Sequence, residues 1–411
     1  MEREVTLTEI LDARELRASR QHQLLARHAL PLVSFTLNIA GPVKTSAAIR
    51  RAFREGCGRL EQALRGADIP IAAKQRFDAP TGCEGFYVLH GEAARIKALC
   101  IELEDEDSLG RLFDLDVLTP DGQKLSREPL AKPARGCLIC GKSGMACASR
   151  RIHAADVLRE RTNAILRDYF ARKDAQRIAA QAVRALNFEV CTTPKPGLVD
   201  RANSGSHSDM DIFTFLSSAA AISPYFLRAA EIGQETAALS PEETFDRLRT
   251  EGLRAERAML DATGGVNTHK GAIYSMGLLC AASGRLWTAA GVCRDPDALL
   301  AECGRMAQNA AKQALRAVRP GSCRTAGERL WLRFGQAGVQ DSNLAARGGK
   351  RAQVFAAQYA ARLLSSGDAA HAALVQFDRE MIRRNLSPGG CADLLALTYF
   401  LYFLQEDAAA L

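Results

Sequence analysis

Two aspartates one residue apart, Asp114 and Asp116, lie in the run Gly110-Arg-Leu-Phe-Asp-Leu-Asp-Val117. On a strand alternate residues share a face, so both carboxylates project together while Phe113, Leu115 and Val117 turn toward a core. Carboxylates about 7 Å apart along a strand suit one hard divalent cation and the phosphates it carries. The plain alternative is a solvated strand face, because Asp-x-Asp is a common triplet. The apolar flanks and Gly110 favour the metal. The acidic run from Glu102 to Asp107 reads instead as a solvated face.

A second cluster holds Cys137-Leu-Ile-Cys140, Cys147 and His153. A CxxC knuckle followed by a third cysteine and a histidine has the ligand types of a Cys₃His zinc site. The gaps are compact, and a structural knuckle usually pairs with a more distant partner. Buried thiols with a polar loop histidine are therefore the competing reading. A third is a zinc module that binds protein or nucleic acid.

Farther along, four loops rich in Gly, Pro, Asn and Ser each open an apolar helix. The first runs from Thr193-Pro-Lys195-Pro-Gly197 to Gly205-Ser-His207-Ser-Asp209-Met-Asp211. One aspartate before a helix is an ordinary N-cap, but His207, Asp209 and Asp211 together exceed that need and point to metal or general-base chemistry. The second, Gly264-Gly-Val-Asn267-Thr-His269-Lys270-Gly271, offers a glycine loop, free helix N–H groups and a lysine, which together make a phosphate cradle. Its spacing is not that of a P-loop, and a capped glycine turn is the simpler alternative. The third carries Asp341, Asn343 and Arg347, and the fourth Asn385 and Ser387. Four such junctions suggest helix N-termini converging on a polyanion.

These residues need scaffolding of two kinds. Residues 1–30 have helical spacing in Leu7, Ile10, Leu11, Leu24 and Leu25. Strand patterns follow at 30–39, 69–77, 84–91 and 111–118, with a helix at 45–66 and a hairpin over 111–128 closed by Pro120-Asp-Gly122. From Ala155 the texture becomes Ala-, Arg- and Leu-rich, with helical segments at 155–188, 212–232, 241–262, 297–317, 352–375 and 391–405. The expected architecture is multi-domain: an α+β unit over 1–172 followed by an all-α unit over 173–411.

Composition agrees with a folded, water-soluble chain. Of 411 residues, 47% are hydrophobic and 25% charged, which excludes disorder, collagen and small disulfide scaffolds. The net charge of +7 is spread over both halves and suits anionic small molecules better than a nucleic-acid groove. Twelve cysteines without a secretory leader read as thiols or metal ligands in a cytoplasmic protein. No run approaches eighteen uninterrupted apolar residues, so no membrane span is expected.

Five segments, NIAGPVK (38–44), TGCEGFYV (81–88), GRLFDLDV (110–117), LSRE (125–128) and CLIC…CASRRIH (137–153), resemble apo-citrate lyase phosphoribosyl-dephospho-CoA transferase over residues 5–170. That resemblance implies a nucleotidyltransferase-like fold with Mg²⁺ on Asp114 and Asp116 and donor phosphate on Lys44 or Arg111. It also implies transfer of phosphoribosyl-dephospho-CoA to a serine of the citrate lyase acyl carrier subunit, with a malonate decarboxylase carrier as the rival acceptor. From about 176 onward, TTPKPGLVDRANSGSHSDMDIFTF, GGVNTHKGAIYSMG, TAGER, DSNLAARGG and RNLSPGGCADLLA resemble triphosphoribosyl-dephospho-CoA synthase. This implies ATP and dephospho-CoA as substrates, adenine as leaving group, Asp209 or Asp211 as base or Mg²⁺ ligand, and Lys270 and Arg347 on the triphosphate. Between Gln340 and Asp341 the chain lacks a segment of several tens of residues that the resemblance calls for. An inactive, structural C-terminal half is the alternative this departure raises.

Overall fold

A computed structural model describes residues 3–317, 368–383, 385, 387 and 389–406. Its contacts divide the chain into one unit of Met1–Phe170 with Ala289–Gly291 and another of Ala171–Thr288 with Val292–Leu411.

The first unit is built on a four-stranded antiparallel sheet of order β2-β3-β1-β4, with β1 at Leu32–Leu37, β2 at Ile71–Ala79, β3 at Gly82–Leu89 and β4 at Phe113–Leu118. Helix α1 (Leu7–His28) starts at a capping box in which Thr6 and Glu9 satisfy each other's backbone N–H groups. Its Leu24 and Leu25 pack with Leu32, Phe86, Val88 and Leu118 on one face of the sheet. The other face meets α2 (Ala47–Gly66), where Phe53 stacks on Phe35 at 5.0 Å and Phe113 meets Phe35 edge-on.

Two features differ from the sequence reading. Ala93–Asp105 forms a helix, α3, because Ile96, Lys97, Cys100, Ile101 and Glu104 recur on one buried face. The 111–128 hairpin reduces to a single bridge between Leu118 and Lys124, leaving β4 as an edge strand. Short α4 (Gly144–Ser149) and the long α5 (Ala155–Cys191) follow.

Apart from α5, the second unit contains α6 (Ile212–Glu235), α7 (Pro241–Ala262), α8 (Lys270–Arg285), α9 (Pro296–Ala317), α10 (Asp368–Arg383) and α11 (Gly389–Glu406) among the described residues. Helix α8 is its centre, buried from Met276 through Gly284. By length and composition α6 could cross a membrane. Here it contributes Ala219, Ile222, Phe226, Ala229 and Ala230 to the helical core.

Glycines let α6 and α8 touch backbone to backbone. A Cβ on Gly284 would stand 2.1 Å from the Ala230 carbonyl oxygen, and one on Gly233 would stand 2.1 Å from that of Ala281. Neither carbonyl can rotate away, so any side chain must push the helices apart. Gly284→Val is expected to lower unfolding free energy by about 2–3 kcal/mol, as overpacking does. Chemical denaturation of the full chain measures it, and an unchanged midpoint would mean that the helices are farther apart than described.

Candidate active sites

The register of β1 against β4 sets Asp114 opposite Thr36 and Asp116 opposite Ser34 on one face of the edge strand, while Phe113, Leu115 and Val117 are buried on the other. Thr36 Oγ1 donates to Asp114 Oδ2 at 3.4 Å, and Lys124 Nζ donates to Asp116 Oδ2 at 2.7 Å. Burial, then the Asp116 charge, pushes the Asp114 carboxyl above its ordinary range. Two like charges with one desolvated carboxylate form a setting that a divalent cation relieves.

Three other basic residues of this unit are anchored to backbone. Arg111 Nη2 donates to the Gly136 carbonyl at 2.6 Å, and Arg135 Nη2 donates to those of Arg111 and Gly110 at 2.6 and 3.2 Å. Lys44 Nζ donates to the Ile39 carbonyl at 2.6 Å, and burial followed by the Arg14 charge holds its amine below the usual lysine range. The acidic run is not a solvated face throughout: Glu104 is buried, accepts the Leu115 N–H at 2.9 Å and pairs with Arg127. It fastens α3 to the backbone of β4. Cys137, Cys140, Cys147 and His153 also come together in this unit, with their ligand atoms within 4.8 Å of one another.

In the helical unit, parts of three of the four junctions line one pocket. His207 comes from the first, Asn267, Thr268, His269 and Lys270 from the second, and Ser387 from the fourth. Asp341, Asn343 and Arg347 of the third lie outside the described residues. The loop before α6 is held by two aspartates. Asp200 accepts the N–H groups of Lys195, Ala202 and Asn203 at 2.7–3.0 Å, and Asp378 accepts Gly197 N–H and Asn203 Nδ2 at 2.9 and 3.0 Å. This brings Lys195 Nζ onto Glu189 of α5, a fully buried ion pair at the pocket wall.

His207 Nε2 shares a proton with Ser387 Oγ at 2.8 Å, joining the first and fourth junctions, and its Nδ1 lies 3.9 Å from Asp209 Oδ1. Asp211 takes the ordinary reading: its Oδ1 accepts Thr214 N–H at 2.8 Å and caps α6, which lowers its carboxyl below the usual range. Neither Asp209 nor Asp211 lines the pocket, and Asn385 lies just outside its wall in a left-handed turn.

Buried His269 closes a relay in which Thr268 Oγ1 donates to Ser218 Oγ at 2.7 Å and Ser218 meets His269 Nδ1 at 2.7 Å. With Ser218 donating onward, the imidazole keeps its proton on Nε2, which is buried without a partner among the described residues. Burial, then the Lys195 charge, lowers this histidine to about 4, so it is neutral at physiological pH.

Two further carboxylates complete the wall: Glu189, absent from the sequence reading, and Asp393, which lies in the RNLSPGGCADLLA stretch of the fourth junction but is not among its candidate site residues. Burial, then the Glu189 charge, pushes Asp393 up to about 7. A Cβ on Gly271 would stand 2.0 Å from Asp393 Oδ2, so that glycine is what lets the first turn of α8 close on the carboxylate. The available signal was a lone acid in each of two apolar helical stretches, Asn-Phe-Glu189-Val-Cys and Cys-Ala-Asp393-Leu-Leu. Removing one partner of a buried ion pair leaves the other charge uncompensated. Lys195→Met is expected to cost about 3–5 kcal/mol, partly recovered by adding Glu189→Leu. Denaturation midpoints of the single and double variants measure this, and a neutral single variant would contradict the buried pair.

A metal-suited carboxylate pair on a sheet edge and a pocket at helix N-termini, lined by Lys195 and Lys270 together with Glu189 and Asp393, describe two candidate group-transfer modules in one chain. The profile of the apo-citrate lyase phosphoribosyl-dephospho-CoA transferase family matches residues 5–169, and that of the ATP:dephospho-CoA triphosphoribosyl transferase family matches residues 175–337 and 335–410. Protein CitXG of Haemophilus influenzae is 34% identical over 448 aligned positions, covering 96% of each chain. Protein CitXG of Leuconostoc mesenteroides subsp. cremoris is 36% identical, over 68% of this chain and 61% of its own. The 2-(5''-triphosphoribosyl)-3'-dephosphocoenzyme-A synthase of Klebsiella pneumoniae is 37% identical, over 55% of this chain and 90% of its own.

The chain belongs to the CitXG family of bifunctional transferases, in which the two activities of citrate lyase prosthetic-group biosynthesis are fused. Both resemblances read in the sequence are thereby upheld. The second profile matches in two pieces meeting at 335–337, and the 448 aligned positions exceed the chain's 411 residues.

Proposed function

We propose that the helical pocket joins C1′ of the ATP ribose to the 2′-hydroxyl of dephospho-CoA. The glycosidic bond to adenine breaks as the new C1′–O bond forms, and the acceptor's proton passes to Asp393 and then to the departing base. The supporting observation is a carboxylate pushed up to about 7 in the same wall as Lys195, His207 and Lys270. A base with a pKa near operating pH is best matched to this proton transfer. His269 Nε2–H and Lys270, beside the N-terminus of α8, receive the triphosphate, while Asp209 orients His207.

In the sheet unit, a nucleotidyltransferase-like site uses Asp114 and Asp116 to hold Mg²⁺, which when bound neutralises charge on the departing diphosphate. The carrier serine oxygen attacks the α-phosphorus of the donor, and the bond to diphosphate breaks. The acceptor is the citrate lyase acyl carrier subunit, and we assign residues 1–172 to this step and 173–411 to donor synthesis. The two steps are assayed apart. His207→Ala with Ser387→Ala should slow adenine release from ATP and dephospho-CoA, yet leave carrier labelling from preformed donor intact. Adenine release absent from the unsubstituted chain would instead support the second reading, raised by the shortened stretch between Gln340 and Asp341, of a helical half that serves only as a structural partner.

A further inference from the structure

Outside both catalytic sites, a turn bridged between Gly136 and Ser143 carries Cys137 and Cys140, α4 carries Cys147, and His153 follows. The Cys140 and Cys147 sulfurs are 3.6 Å apart. That is much longer than a disulfide of about 2.05 Å and close to the edge, about 3.8 Å, of a tetrahedron with Zn–S of about 2.3 Å. Ile139 N–H points at Cys137 Sγ from 3.4 Å, the kind of outer contact that steadies a metal-bound thiolate. Independently, His153 Nε2 is buried with no hydrogen-bond partner among the described residues. The backbone is folded tightly to gather these groups: a Cβ on Gly136 would stand 2.6 Å from the Gly141 carbonyl oxygen.

We propose that Cys137, Cys140, Cys147 and His153 bind one zinc ion in a closed four-ligand structural site that fixes the Arg135–Gly136 segment to the start of β4. The thiols release their protons to solvent as the metal binds, and no coordination position is left for substrate. The link to the transferase site is a reciprocal clasp: Arg135 donates to the Gly110 and Arg111 carbonyls while Arg111 donates to that of Gly136. Gly110 and Arg111 form the turn that leads into β4, and Asp114 follows three residues after Arg111. Metal binding stands apart from the functional reading above, whereas its effect on transfer rests on it.

Elemental analysis of the full chain from zinc-supplemented culture should find about one zinc per chain. Cys140→Ser and His153→Ala should each reduce it below about a tenth. Cobalt substitution of the unsubstituted chain should show thiolate charge-transfer and tetrahedral bands, which decides the matter even where a variant fails to fold. Stripping with a zinc-selective chelator in excess Mg²⁺ should slow carrier transfer from preformed donor about tenfold or more. Adenine release should stay unchanged, and zinc should restore transfer. Absence of both stoichiometric zinc and the cobalt bands overturns the site. Bound zinc whose removal leaves transfer unaltered overturns the clasp.

Discussion

Asp393→Asn is expected to lower adenine release from ATP and dephospho-CoA by about a hundred- to ten-thousandfold, the range that a positioned general base contributes. The side chain keeps its size, so the pocket wall, including the close approach of Gly271, is retained. Activity of the parent should rise as pH passes through about 7, where Asp393 loses its proton, and that limb should vanish in the variant.

Stability should move the opposite way. The folded chain keeps this proton up to about 7, whereas an unfolded aspartate releases it near about 3.9. Between those values the folded state binds more protons, so stability falls as pH rises. At pH 8 the variant should therefore be more stable than the parent, by on the order of 4 kcal/mol at most. The difference should shrink toward pH 4. A variant that is inactive but no more stable would point to lost packing, and one with unaltered adenine release would remove Asp393 from the reaction.

The second large effect belongs to the sheet edge. Asp114→Ala and Asp116→Ala should each slow labelling of the carrier from preformed donor by on the order of a thousandfold, leaving adenine release untouched. Asp114→Asn should not restore it, because a neutral amide keeps the Thr36 contact but not the charge a cation needs. Lys124→Ala is the useful comparison. Its pair with Asp116 is solvent-exposed on the lysine side and contributes little to stability, so any loss it causes reports on anion handling. Normal labelling by Asp114→Ala would place the metal elsewhere.

The strands and most helices were legible because their periodicities are undisturbed: Phe113, Leu115 and Val117 alternate cleanly, and α2, α6 and α7 carry apolar residues at helical spacing on their buried faces. Helix α3 was not, since its buried face includes Lys97 and Glu104, polar residues whose partners are the β4 backbone at Leu115. The same physics hid part of the helical site. Glu189 and Asp393 sit on apolar faces and gain meaning only when Lys195 and Gly271 are brought to them from other segments. Asp211 shows the reverse, a conspicuous acid whose local role is a helix cap. Spacing along the chain reveals pairs on one element, such as Asp114 and Asp116, but not groups that meet through tertiary packing.

That one chain both makes the donor and attaches it is tested by the mass of the apo-carrier subunit after incubation with the full protein, Mg²⁺, ATP and dephospho-CoA. The expected result is a carrier heavier by one phosphoribosyl-dephospho-CoA group, with adenine liberated in at least equal amount. An unmodified carrier, or one modified only when preformed triphosphoribosyl-dephospho-CoA is supplied, would contradict it.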